Sequence, residues 1–276
     1  MSLENKVAVI TGAGGVLCSE FARALAKKGV KVALVGLHEE NVKKVADEIT
    51  ADGGTALYYA CNVLDKKSLE GVHDDILARL GKCDILINGA GGNNPRATTT
   101  NEYYNVGDEE RNDIKTFFNL DREDFEFVFS LNLMGTLLPT QVFVKDMLNG
   151  GGTVLNVSSM NAFKPLTKIP AYSSAKSAVT NLTEWMAVHF AGAKVRVNAM
   201  APGFFVTKQN KDLLFDKDGN PTPRTEKILN ATPMRRFGSP EELVGTLLWL
   251  CDDEASGFVT GICVPVDGGF SAYSGV

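Results

Sequence analysis

The chain has 276 residues, 28 lysines and arginines against 33 aspartates and glutamates, a net charge of −5, and 44% hydrophobic residues. That balance argues against a broad surface for nucleic acid or anionic membrane, and no consecutive apolar run approaches the roughly 18 residues of a membrane span. Five dispersed cysteines (Cys18, Cys61, Cys83, Cys251, Cys263) and three separated histidines (His38, His73, His189) suggest neither a disulfide framework nor a metal site. Residues 1–6 show no basic stretch leading to a cleavage site, so a cytoplasmic protein is expected.

In chain order, a β-branched run at 7–10 predicts a strand, followed by glycines and a helical pattern through Phe21 and Leu25 that Gly29 stops. Strands at 31–35, 57–61 and 85–88 alternate with helices at 39–50 and 68–80. A helix over about 125–148 then precedes a strand at 153–157, a helix at 173–190 and a strand at 195–199. The chain finishes with a helical stretch at 240–250 and a strand at 262–266. This alternation predicts a single α/β domain over 1–276, with a mainly parallel seven-stranded sheet covered by helices on both faces. Residues 93–120 break the pattern as a polar insert. The window 101–126 holds nine acids and three bases, so it accounts for all the net negative charge. A solvated surface excursion, a lid and an oligomer contact all fit such a segment.

Two constellations carry chemistry. After the first strand, Thr11-Gly12-Ala13-Gly14-Gly15-Val16-Leu17-Cys18 opens a helix, where glycines let backbone N–H groups approach a pyrophosphate. Tyr172 and Lys176 stand at i and i+4 where the helix at 173–190 begins, so an ammonium faces a phenol and favours its ionised form. Ser159 follows the strand at 153–157 and has a hydroxyl for a substrate carbonyl. Asn132 is a polar residue on a face lined by Phe125, Val128 and Phe129, where it either fixes the helix or holds a proton-relay water.

With Asn88-Gly89-Ala90-Gly91, Pro202-Gly203, Thr207 and Val266-Asp267-Gly268-Gly269, these pieces resemble the classical short-chain dehydrogenase/reductase family in order and spacing over residues 5–270. The resemblance implies a doubly wound Rossmann-type domain binding NAD or NADP. It makes Tyr172 the general acid in reduction, Ser159 the partner of the carbonyl, Lys176 the group that lowers the phenol pKa and holds the nicotinamide ribose, and Asn132 a support for proton relay. Cofactor contacts are expected from Gly12, Gly14, Gly15, Val16, Leu17, His38, Asn62, Val63, Ala90, Gly91, Tyr172, Lys176, Pro202, Gly203, Phe205 and Thr207. Family relatives also imply a homotetramer.

Two departures stand out. The family loop TGxxxGxG has glycines where this chain has Val16 and Cys18, which shifts the close approach to Gly14 and Gly15; Cys18 reads as small packing. At the end of the second strand, Gly36-Leu37-His38 offers neither an acid for ribose hydroxyls nor an arginine for a 2′-phosphate, so the NAD/NADP preference is open. Asn62 takes the place of an aspartate at the adenine. Polar candidates for the substrate are Asn93, Asn94, Ser159, Asn161, Tyr172 and Gln209, with Arg96, Lys164, Lys168 and Asn210 nearby. Amide and cationic groups suit a hydroxylated, carboxylated substrate. The runs 14–18 and 91–95, with the insert, resemble the D-mannonate oxidoreductases, or fructuronate reductases, which interconvert D-fructuronate and D-mannonate. Alternatives are a reductase of another ketone, such as a 3-oxoacyl thioester or a different sugar, and a non-catalytic nucleotide-binding regulator.

Overall fold

The strand segments are apolar at nearly every position, as strands buried on both faces must be. The computed structural model describes residues 3–206, 214–217 and 219–275. Its seven strands are β1 Val7–Thr11, β2 Lys31–Gly36, β3 Ala56–Ala60, β4 Ile85–Asn88, β5 Gly152–Val157, β6 Val195–Pro202 and β7 Cys263–Val266. All pair in parallel, in the order β3-β2-β1-β4-β5-β6-β7. The described helices are α1 Val16–Ala26, α2 Glu39–Ala51, α3 Lys66–Arg79, α4 Arg122–Phe143, α5 Pro170–Phe190, α6 Pro223–Ala231, α7 Val244–Cys251 and α8 Asp253–Ser256.

Side-chain alternation along each strand divides the core into two layers. Ala8, Ile10, Val32 and Leu34 pack with Phe21 and Leu25 of α1, Ile49 of α2 and Leu247 of α7. Val7, Val9, Ala33 and Val35 point the other way, against Leu69 of α3, Phe143 of α4 and Met186 of α5. Each fully buried side chain of this size contributes about 1.5–3 kcal/mol. Strand order reverses between β1 and β4, so the loops leaving Thr11 and Asn88 diverge and open a crevice at the carboxyl end of the sheet.

Several boundaries move for local reasons. α3 starts at Lys66 because Asp65 caps it, accepting from the Lys67 and Ser68 N–H groups. α5 starts at Pro170, a residue suited to a first helical turn. The stretch at 240–250 divides into a 3-10 turn, Pro240–Leu243, and α7. The expectation of no membrane-length apolar segment needs one correction: within Arg122–Met147 an 18-residue window has a mean hydropathy of 1.5. Half of that window is buried inside the fold, and Asn132, Thr136 and Thr140 hydrogen-bond within it, which marks α4 as a core helix.

The insert is folded. It contains 3-10 turns at Pro95–Ala97, Asp108–Glu110 and Phe117–Asn119. Buried Asp108 accepts from the Asn101 and Asn105 side chains and from the Asn105 N–H. Arg96 pairs with Asp124 of α4 at 3.1 Å, and Glu102 with Lys227 of α6 at 2.8 Å. The Thr99 N–H donates to the Lys168 carbonyl just ahead of α5. These ties fasten the insert to α4, to α6 and to the segment before α5.

Candidate active site

A cleft of about 280 Å³ lies at the strand-order reversal, lined on one side by Gly12, Gly15, Val16, Leu17 and Cys18 and on the other by Ser159, Tyr172 and Lys176. Gly89–Gly92, Val157, Ser158, Pro202 and Gly203 complete it. Gly12 has φ +66°, and a Cβ there would lie 2.7 Å from the Gly89 carbonyl oxygen, so only glycine fits. Thr11 Oγ1 accepts from the N–H groups of Gly89 and Ala90 at 3.1 and 3.2 Å, pinning the two loops together. Gly15 is the N-cap of α1, and no side chain caps that helix. Val16 is already its first helical residue, so the lost family glycine costs no strained turn.

Gly14 does not make the close approach expected of it. A Cβ there would meet Asn41 Cβ at 2.7 Å, so its contact is with α2. Cys18 is matched by Gly89: a Cβ on Gly89 would fall 2.1 Å from the Cys18 sulfur. Where the first turn of α1 carries a side chain, the facing loop has none. Burial pushes the Cys18 thiol up to about 12, which keeps it protonated and supports a packing role.

Across the cleft, Lys176 is buried and donates from Nζ to the Val157 carbonyl at 2.8 Å. Its Nζ lies 5.6 Å from the Tyr172 ring centroid. Burial lowers the lysine pKa to about 8. Burial also raises the Tyr172 phenol above its ordinary value, and a hydrogen bond with Ser159 pulls it partly back. Burial is the larger of the two effects on the phenol, and the Lys176 ammonium is engaged with the Val157 carbonyl. Ser159 Oγ accepts from the Asn161 N–H at 3.3 Å, so its own proton is aimed at the Tyr172 oxygen or at a carbonyl placed beside it.

Asn132 is fully buried and committed. Its Nδ2 donates to the Gly92 and Val128 carbonyls at 2.8 and 2.7 Å, and its Oδ1 accepts from the Gly92 N–H at 3.1 Å. A Cβ on Gly91 would fall 2.5 Å from Asn132 Oδ1 and 3.2 Å from Lys176 Nζ, so glycine is needed where the helices meet the loop. These bonds tie the Gly92 backbone to α4.

The family model for short chain dehydrogenases matches residues 6–218. The chain belongs to the short-chain dehydrogenase family. As an oxidoreductase of that family it is similar to an uncharacterized oxidoreductase of Haemophilus influenzae, 56% identical over 100% of this chain and 96% of that one. It is 31% identical to the 7alpha-hydroxysteroid dehydrogenase of Escherichia coli over 98% of this chain and 95% of that one. Among solved structures, a protein from Haemophilus influenzae with bound NAD, provisionally named D-mannonate oxidoreductase, superposes with a TM-score of 0.96. The two are 55% identical over 100% of this chain and 98% of that one.

Not every expected residue of this dehydrogenase reaches the cleft. His38 is the exposed N-cap residue of α2 and makes no capping bond. Asn62 is exposed and spends Oδ1 on the Leu64 N–H, while Val63 is buried beside Gly135 of α4. Phe205 lines a separate cavity of about 370 Å³ with Phe204, Met234 and Arg236. Asn93 donates to Thr98 Oγ1 and Asn94 accepts from the Arg96 N–H, so both side chains build a turn. Asn161 is buried, and its Oδ1 has no hydrogen-bond partner. Thr207, Gln209 and Asn210 lie outside the described residues.

The sequence reading missed a buried polar ladder. Asn88 Nδ2 donates to Thr140 Oγ1 and Asn156 Oδ1, each at 2.9 Å, and Asn156 Nδ2 donates to Thr183 Oγ1 at 2.8 Å. It bolts β4 and β5 to the two helices that carry Asn132 and Lys176. Ser158 was also missed; its hydroxyl reaches the Lys176 carbonyl at 3.2 Å. The local signal was two asparagines at the ends of apolar strands. Their partners are 27 to 68 residues away. At the end of β2, a Cβ on Gly36 would meet Val42 at 2.7 Å, so the fold leaves no room there for the missing acid.

Proposed function

We propose that this short-chain dehydrogenase transfers a hydride between NAD or NADP and the keto/hydroxyl carbon of a sugar acid, the D-fructuronate/D-mannonate pair. The observation that carries the reading is the 55% identity, across the whole chain, with the NAD-bound structure provisionally named D-mannonate oxidoreductase. The donor set fits a dinucleotide: a glycine at positive φ and the uncapped start of α1 both border the cleft. Gly12, Gly15, Val16, Leu17, Ala90, Gly91, Pro202 and Gly203 would hold it. Reduced nicotinamide, when bound, supplies the hydride.

The chain's own residues handle the oxygen and its proton. Ser159 donates to the substrate carbonyl, and Tyr172 gives its phenolic proton to the same oxygen as the carbon is reduced. A raised phenol pKa keeps that proton in place until the carbonyl arrives. Lys176 anchors the ribose side and Asn132 holds the Gly91–Gly92 backbone. Asn161 and Gln209 are the remaining polar candidates for the sugar hydroxyls and carboxylate. Exposed Phe127, Trp185 and Val188 on α4 and α5 support assembly as a homotetramer, which light scattering checks, and the enzyme would work in the cytoplasm.

The test offers D-fructuronate with NADH and NADPH in parallel and follows nicotinamide absorbance. Oxidation of one cofactor, abolished by Tyr172→Phe, is the expected result and sets the preference. Failure with both cofactors overturns the sugar-acid assignment.

A further inference from the structure

The Pro95–Ala97 turn lies outside both catalytic constellations, yet it touches the helices that carry them. Ala97 is completely buried against Val128 of α4 and Ala171 of α5, with Phe125 and Tyr172 packed on the same cluster. Val128 is one turn before Asn132 and lends it a carbonyl. Ala171 immediately precedes Tyr172 in sequence. The turn is itself rigidly held: Asn94 caps it at 2.9 Å, Thr98 Oγ1 donates to the Asn94 carbonyl at 3.1 Å, and Lys115 Nζ donates to the Arg96 carbonyl at 2.8 Å. Arg96 within the turn pairs with Asp124 at the start of α4, and Thr99 after it donates to the Lys168 carbonyl before α5.

We infer that Ala97 is a positioning residue, the tip of a wedge by which the insert sets the spacing of α4 and α5 and with it the placement of the Tyr172 ring over the cleft. This rests on the reading of Tyr172 as proton donor. A close-packed contact between two helices has no slack for an added methyl group, and the neighbours shift when one is forced in. Here Tyr172 packs on the same cluster as Ala97, next to Ala171. An alanine is the size that fills the gap without moving the ring, and the surrounding hydrogen bonds prevent the turn from backing away. The insert thus acts on the reaction through the phenol, without touching substrate.

The experiment compares Ala97→Val, Ala97→Gly and Ala97→Ser with the parent enzyme. Three quantities are read: the phenolate absorbance titration of Tyr172, taken as the difference from Tyr172→Phe; NAD affinity; and kcat with D-fructuronate. Ala97→Val is expected to shift the Tyr172 midpoint and lower kcat about tenfold to a hundredfold, as small misplacements of a reacting group do, with NAD affinity unchanged. Ala97→Ser, which adds a single atom, is expected to move both less than Ala97→Val does. If Ala97→Val does not fold, Ala97→Gly carries the test from the loosened side. A parent-like phenol midpoint and kcat in the folded variants overturns the proposal. So does a loss of NAD affinity and thermal stability with the phenol midpoint unmoved, because that pattern marks packing alone. The phenol titration needs no substrate, so a parent enzyme inactive on D-fructuronate would sink the substrate reading while the midpoint still decides the wedge.

Discussion

The two walls of the cleft are built by opposite means. The Gly12–Cys18 wall works by leaving side chains out: Gly12 at positive φ, Gly89 shaped to receive Cys18, and an α1 start with no side-chain cap. The Ser159–Tyr172–Lys176 wall works by burying polar side chains and giving most of them partners: Lys176 on Val157, Asn132 on Gly92, Ser158 on Lys176. The first wall should fail when atoms are added, the second when atoms are removed.

The largest expected effect removes one atom from the second wall. Tyr172→Phe lowers kcat by about 10²–10⁴-fold or more while NAD still binds, since the glycine wall is untouched. Stopped-flow turnover with parallel NAD titration checks this, and parent-like turnover removes Tyr172 from its role. Next comes one atom added to the first wall. Gly12→Ala costs about 1–3 kcal/mol for the backbone alone, with the clash on Gly89 added, and weakens NAD binding. Thermal midpoint and NAD titration together read both.

A subtler test asks whether the two loops behind the first wall are matched. Gly89→Ala overpacks against the Cys18 sulfur and costs about 1–3 kcal/mol. Adding Cys18→Gly recovers the sulfur's share, leaving the contact with the Thr11 carbonyl at 2.9 Å. A double-mutant cycle should give a coupling of about 0.5–3 kcal/mol, and additive losses would dissolve the pairing.

The smallest effect lies away from both walls and serves as their control. His73 bridges Asp146 at 3.0 Å and Asp74 at 3.1 Å. Burial alone would lower its pKa, but hydrogen bonds and charges from the two aspartates outweigh burial and raise it. A raised folded pKa makes the contribution complete below the ordinary histidine value near about pH 6.5 and lost as pH rises through the folded value. The melting difference between the parent and His73→Asn should therefore be largest in acid, on the order of 1 kcal/mol or less, and fade in alkali. A pH-independent difference contradicts the linkage, and NAD affinity should not move.

Much of the frame was legible because it is periodic and local. Apolar runs at seven places, helices at i, i+3, i+4 spacing and glycines after β1 produced seven strands and the cofactor loop. Tyr172 and Lys176 share a helix face by arithmetic alone. The shifted boundaries follow local start signals, the Asp65 cap and Pro170 in a first helical turn. Harder were residues whose role depends on what sits opposite. Asn93 and Asn94 look like substrate ligands as letters, and in the fold each also gives one amide atom to the turn around residues 94–98.

Taken by itself, the sequence determined which residue types were available and which segments had to be buried, since hydrophobic period and glycine placement act within a few residues. Only the tertiary structure decided which of them meet. The Asn88–Asn156–Thr183 ladder, the fit of Cys18 into Gly89, the closure of Asn132 on Gly92 and the Ala97 wedge all join positions far apart in the chain. A buried polar or packing partner is chosen by distance in space, and no spacing along the chain encodes it.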